Sequence, residues 1–293
     1  MPQISTTGSL ANIAKEMISQ IRYTNEHNAV MAELVEKHTL NKGEDTGIFP
    51  KVGQVNVRVL NEGEEMSNEQ DIGLSTISVQ TNEVGGYIIL SKRLLKRTAA
   101  SAGNLFQVVA KQFGDGQARL ENADILGLFT ALNGGTNLGG AGFALSAANA
   151  TSAISIAQTN KYGSDLRFVH HPNAIMRLGR DLTTIGSGQI RPIPEGFSKD
   201  VLDRGVWTGL RIGPVPFFQT GDITRDASDD AIGAIFDKSA LGLLKEASPS
   251  SYREERKRRR AWELGFVSEY IAFEIDDTKG APVTCDAVNP ALA

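Results

Sequence analysis

The chain changes its hydrophobic rhythm several times. Over residues 10–38, "LANIAKEMISQIRYTNEHNAVMAELVEKH", the apolar positions Leu10, Ile13, Met17, Ile21, Met31 and Leu34 recur near 3.6-residue spacing. That spacing predicts an amphipathic helix, ended by the loop signal "NKGEDTG". The period then falls to two. In "VGQVNVRVL" (52–60) Val55, Val57 and Val59 alternate with Gln54, Asn56 and Arg58. "IGLSTISVQT" (72–81) alternates again, and "GYIIL" (86–90) follows. These predict strands with one polar face, the first two forming a long hairpin arm that needs another surface to lie on.

Helical spacing returns over 91–132. "SKRLLKRT" predicts a short helix, and Leu105, Val109, Phe113, Leu120, Ile125, Leu128 and Leu132 predict one long helix. Some 30 residues at 1.5 Å each span about 45 Å. Gly114 and Gly116 fall in its middle, which predicts a bend or a close contact there. "NGGTNLGGAG" (133–142) ends it. From 150 to 235 short helices and strands alternate: "RFVHHP" a strand, "NAIMRLGRD" a helix, and "GLRIGPVPFFQT" a proline-interrupted edge strand. "AIGAIFDKSALGLLKEA", "AWELGFVSEYIAFEIDD" and, after the turn "TKGA", "PVTCDAV" close the chain.

Composition narrows the picture. The 293 residues suffice for one large or two ordinary domains, and 41% hydrophobic with 22% charged residues is ordinary for a globular chain. A net charge of −4 gives no global pull toward nucleic acid or anionic membrane. Cys285 is the only cysteine, so an internal disulfide and a cysteine-based zinc site are excluded. No basic–apolar leader opens the sequence, and no apolar run reaches the roughly 18 residues of a spanning helix.

Candidate chemistry is sparse. His170 and His171 are adjacent on a strand, which sends their rings to opposite faces, away from a shared metal. His171 precedes Pro172, which holds it extended where strand passes into helix. The remaining histidines, His27 and His38, fall in the N-terminal helical pattern. "GGTNLGGAG" lacks the Gly-Lys-Ser/Thr of a phosphate loop and follows a helix, so it reads as a cap and turn. Asp222, Asp226, Asp229 and Asp230 lack EF-hand spacing and read as a solvated loop. No catalytic residue, cofactor site or metal site is assigned.

Charge is where the sequence stands out. The segment "NEGEEMSNEQD" holds Glu62, Glu64, Glu65, Glu69 and Asp71 with no basic residue, and predicts an acidic tip for the arm. "REERKRRR" holds Arg253, Arg256, Lys257, Arg258, Arg259 and Arg260. Three uses fit this run: a solvated face, a contact between subunits, or contact with DNA phosphates.

The order of these parts resembles the major capsid proteins of tailed phages, the fold named after phage Hong Kong 97. "GGYIILSKRLLKRTAAS" is similar to that family's passage from extended arm to spine helix, and "ADILGLFTALNGGTNLGGAG" to the helix end and its glycine-rich exit. "LRFVHHPNAIMRLGRDL" and "GLRIGPVPFFQTGDI" resemble strands of its axial domain. "AIFDKSALGLLKEA" and "GFVSEYIAFEIDDTKGAPVTCDAV" resemble its closing peripheral strands. The resemblance covers roughly residues 46–288. It implies an α+β, Hong Kong 97-type capsid fold: N-terminal arm (1–45), extended β-hairpin arm (46–90), peripheral domain with the spine helix (91–149 and 236–293) and axial domain (150–235). The arm begins almost at once, so any scaffold is expected to be a separate chain.

The resemblance also implies a function, and no enzyme activity. Copies of the chain, as hexamers and pentamers, would close an icosahedral shell around double-stranded DNA read without sequence specificity. Portal, scaffolding and decoration proteins would be further partners, with no membrane. The site would be the virion, after assembly in host cytoplasm. Two other readings stand beside it: an encapsulin-type nanocompartment shell, and a soluble α/β metal-dependent enzyme. Within the capsid reading, the acidic tip Glu62–Asp71 is expected to pair with Arg253–Arg260 of a neighbouring subunit.

Overall fold

A computed structural model of the chain describes residues 30–41, 43–52, 57, 59, 62, 73–97, 102–183, 210–246 and 250–289. The expected helix over 10–38 lies outside these residues up to position 29. Its described end departs from the expectation. Only Met31–Leu34 (α1) is helical, Val35 is extended (φ −110°, ψ 168°), and Glu36–Thr39 is strand β1. The reason is tertiary. β1 pairs in parallel with the buried strand β9 (Leu241–Lys245), from Glu36 opposite Gly242 to Thr39 opposite Lys245. The ladder overrides the weak helical preference of β-branched Val35 and Thr39.

Two five-stranded sheets carry the molecule. The first is built on β11 (Ala261–Glu274). β4 (Asn82–Ser91) runs antiparallel along one side of it, while β10 (Ser250–Arg256) and β9 share the other, with β1 outside β9. Burial along β11 alternates in stretches, at Ala261, Glu263 and Gly265 on one face and at Ser268 and Tyr270 on the other, so each face is covered over part of the strand. One covering element is α3 (Ala102–Gly127). Buried Glu121 of α3 accepts from Lys245 Nζ at 2.6 Å and from Gln117 Nε2 at 2.8 Å, and Tyr270 Oη donates to Asp124 at 2.6 Å.

The second sheet has the order β12 (Gly280–Asp286), β8 (Asp230–Asp237), β5 (Leu166–His170), β7 (Val215–Gln219), β6 (Leu210–Ile212). Helices α4 (Ala147–Thr159) and α5 (Pro172–Thr183) pack with it, and Leu178, Ile175, Ile154, Phe168 and Phe217 form its core. Segment 236–293, expected to stay with the spine helix, divides between the sheets: 241–274 belongs to the first and 280–286 to the second. The turn at 277–279 makes the division, and β12 then pairs with β8 from Gly280 opposite Phe236 to Asp286 opposite Asp230. "GLRIGPVPFFQT" is a hairpin turning at Gly213 (φ 59°). β6 takes the sheet edge, and β7 lies inside against β5.

The arm is rooted by a two-stranded pair, β2 (Thr46–Val52) and β3 (Leu74–Gln80), whose last register is Val52 opposite Leu74. Most of the expected strand 52–60 lies outside the described residues. Val57 and Val59, which are described, are exposed. β3 leads almost directly into β4, and α2 (Lys92–Arg97) and α3 follow β4 as expected. The expected bend in α3 is absent, since the helix is continuous through Gly114 and Gly116. Nothing lies within 4 Å of a Cβ at Gly114. After α3, 3-10 turns at Leu128–Thr130 and Leu132–Gly135 carry the chain to Asn133, Gly134 and Gly135, all with positive φ.

The glycine-rich loop after α3 does more than turn. Leu138 N donates to Pro282 O at 2.9 Å and Gly140 N to Thr284 O at 3.1 Å, while Thr284 N donates to Asn137 Oδ1 at 2.9 Å. The loop therefore lies along the outer edge of β12 and satisfies groups an open edge would leave bare. A Cβ at Gly139 would stand 2.1 Å from Thr284 O, so only glycine permits that approach.

Candidate interaction surfaces

The basic run forms the end of the β10–β11 hairpin. Arg256 opposes Ala261, Lys257–Arg259 make a single 3-10 turn, and Arg260 closes it in the left-handed region (φ 49°). The hairpin uses some of its own charge. The Arg253 guanidinium stacks 4.2 Å from the Trp262 ring centroid. Arg256 Nε lies 2.5 Å from the buried carboxylate of Glu263, which also accepts from Tyr252 Oη at 3.2 Å. Lys92 pairs with Glu255, and that hydrogen bond holds the Glu255 carboxyl below its usual range. Arg258, Arg259 and Arg260 are exposed, and their side chains make no ion pair among the described residues.

The fold enlarges this surface beyond the sequence run. Ser91 opposes Ala261, and Lys92 N donates to Arg260 O at 2.8 Å, so α2 begins at the hairpin turn. α2 contributes Lys92 and carries exposed Arg93 and Lys96. The charges of "SKRLLKRT" are plain in the sequence. What brings them to residue 260 is the β4–β11 register, which no local pattern encodes.

The arm is rooted at the opposite end of the same strand. Lys51 Nζ lies 2.8 Å from Asp276, just past the end of β11, and Phe49 stacks on Phe273 at 4.7 Å. The 14 residues of β11 separate this root from the basic turn by about 45 Å. Of the acidic residues, Glu62 is described and exposed, while Glu64, Glu65, Glu69 and Asp71 lie outside the described residues.

The histidines do not share a site. His170 is fully buried, with Nε2 3.2 Å from Val283 O, and burial lowers its pKa to about 4. His171 is half-buried and its Nδ1 accepts from Asn173 N at 3.2 Å. The four aspartates are dispersed: Asp222 accepts from Asn122 at 2.5 Å, Asp226 from the Ser228 and Asp230 amides, Asp229 pairs with Arg225, and Asp230 accepts from Gly142 N. Among the described residues no three His, Cys, Asp or Glu side chains converge on a metal position. A groove of about 440 Å³ between α3, β4 and β11 includes Val84, Leu120, Ala123 and Tyr270 in its lining. Its hydroxyl and carboxylate, Tyr270 and Asp124, bond each other. No described helix is long and apolar enough to cross a membrane.

Comparison with solved structures places this architecture. The capsid of a native GTA particle superposes with a TM-score of 0.69 at 15% identity, covering 98% of this chain and 95% of the other. The head of the Helicobacter pylori bacteriophage KHP40 gives 0.69 at 10% identity, with 98% of both chains covered. The SrpI encapsulin of Synechococcus elongatus gives 0.57 at 10% identity over 96% and 98%. No protein-family model matches the sequence, and no curated protein matches it. The fold is thus that of shell subunits, retained where sequence similarity has vanished. It is the α+β fold of tailed-phage capsid proteins, of the Hong Kong 97 type.

Proposed function

We propose that this chain is the major capsid protein of a tailed phage and self-assembles into an icosahedral head around double-stranded DNA. The observation that supports it is the correspondence with phage head subunits over nearly the whole of both chains. In this reading 46–90 is the arm laid on a neighbour, 91–149 and most of 236–293 form the peripheral domain, and 150–235 with β12 forms the axial domain. Hexamers and pentamers of the chain, with portal, scaffolding and decoration proteins, are its partners. The protein passes from host cytoplasm to virion.

The subunit contact proposed within this reading joins Glu62, Glu64, Glu65, Glu69 and Asp71 of one copy to Arg253, Arg256, Lys257, Arg258, Arg259 and Arg260 of another. Arg258–Arg260 supply the outward charge, while Arg253 and Arg256 shape the hairpin that presents it. Opposite charge at opposite ends of one subunit makes a head-to-tail contact, the kind that closes rings. Such charges govern rate and choice of partner, and act within about 8 Å at physiological salt.

Particles purified from producing cells test the function. Closed heads protecting double-stranded DNA are expected. Small shells filled with protein would move the chain to the encapsulin class, and a soluble monomer without particles would overturn both.

A further inference from the structure

His170 ends β5, the middle strand of the second sheet, and its ring is sealed from solvent. The ring lies over Gly233 of β8, where a Cβ would stand 2.4 Å from its Cδ2. Glycine at 233 is what lets the imidazole cross the neighbouring strand. Beyond it, Nε2 meets Val283 O of β12 at 3.2 Å. One side chain thus ties β5 to β12 across β8.

The two ring nitrogens face opposite demands. A carbonyl only accepts, so Nε2 carries the hydrogen. The His171 amide only donates, at 2.9 Å to Nδ1, so Nδ1 holds a lone pair. The hydrogen-bond network therefore assigns the neutral Nε2–H tautomer. His171 repeats the pattern one residue on. Its Nδ1 accepts from Asn173 N at 3.2 Å, one of the amides at the start of α5 that has no partner within the helix. Two consecutive imidazoles each hold a backbone amide at the strand-to-helix junction, and an imidazolium can hold neither.

We propose that His170 and His171 form an acid-released clamp at the strand-to-helix junction: neutral, their Nδ1 atoms hold the His171 and Asn173 amides between β5 and α5, and proton uptake at either Nδ1 frees that amide while the Nε2–H bond to Val283 O remains.

The surroundings support this. The charged and titratable groups on the packed elements are Arg167 on β5, Arg177, Arg180 and Asp181 on α5, Arg225 in the loop before β8, Asp230 and Asp237 on β8, and Cys285 and Asp286 on β12. Asp286 is paired with Arg177, and Arg225 with Asp229. Among the described residues no carboxylate bonds either ring. Burial lowers the pKa of His170 to about 4, and burial with nearby Arg225 lowers that of His171. An unfolded histidine takes its proton near 6.5. Stability from His170 is therefore complete above pH 6.5 and is lost as pH falls toward 4. The clamp belongs to the folded subunit and does not depend on the capsid reading.

Urea denaturation of the full chain between pH 7 and 4 tests it, with His170→Gln as the comparison. Gln keeps a donor for Val283 O but does not titrate. The wild-type unfolding constant should rise by about 100-fold more than that of H170Q over this range, from a shift between 6.5 and about 4. Should H170Q fail to fold, ring-nitrogen NMR of ¹⁵N-histidine-labelled wild type decides. A neutral Nε2–H signal persisting to pH 5 is expected. Parallel pH curves for the two proteins, an Nδ1–H tautomer, or titration of His170 near 6.5 would overturn the proposal.

Discussion

The two sheets solve the same problem differently. The second sheet is finished within the subunit along its β12 edge. Its outer strand β12 is covered by the 137–140 loop, its long strands β5 and β8 are buried along most of their length, and His170 fastens one side to the other. The first sheet is left open at the ends. Tyr270, Phe273 and Leu243 are buried toward the arm root, the opposite end carries exposed Arg258, Arg259 and Arg260, and the root leads into the arm. A monomer has no use for such ends. A subunit that must be completed by its neighbours does.

Substitutions can break this contrast in order of their effect on the isolated subunit. Phe236→Ala removes a fully buried ring, 5.5 Å from Phe129, and should cost about 3–5 kcal/mol in urea denaturation. Gly139→Val places atoms where Thr284 O already stands. It should cost about 1–3 kcal/mol in the same measurement and bare the β12 edge, seen as aggregation by light scattering. Glu263→Ala removes the buried acceptor shared by Arg256 and Tyr252, and should lower subunit stability by about 1 kcal/mol. Reversal of Arg258, Arg259 and Arg260 to Glu should change subunit stability by less than about 0.5 kcal/mol. It should nevertheless abolish sedimenting particles, and reversing the acids at 62, 64 and 65 to Lys should partly restore them. Particles that survive the single reversal, or a double reversal with no recovery, would sink the proposed contact.

Much of the architecture is legible in the sequence, for reasons local to each element. The change from period two to 3.6 marks the passage from arm to spine helix, and Pro172 marks the start of α5. The glycines at 134 and 135 mark the end of the long helix. What local pattern misreads is decided by distant pairing. Glu36–Thr39 continues a helical rhythm yet becomes a strand, because β9 offers an edge about 200 residues away in sequence. Gly139 looks like a flexible turn yet is fixed by the backbone of Thr284. The site follows the same division. The basic run is plain as a charge cluster, but its place at a hairpin end, its continuation into α2 and its distance from the arm root all depend on the β11 register. The histidine pair reads in the sequence as a strand end passing into a helix, and the contact of His170 across Gly233 needs the three-strand order to be seen.

The central claim is that other copies of this chain complete the open ends of the first sheet. An electron cryomicroscopy map of particles assembled from the purified protein tests it most directly. The account predicts closed shells in which acidic residues 62–71 of one copy lie against Arg258–Arg260 of another, with the second sheet unchanged. Closed shells that leave both segments facing solvent would contradict the contact. A protein that forms no shell at any concentration would contradict the account as a whole.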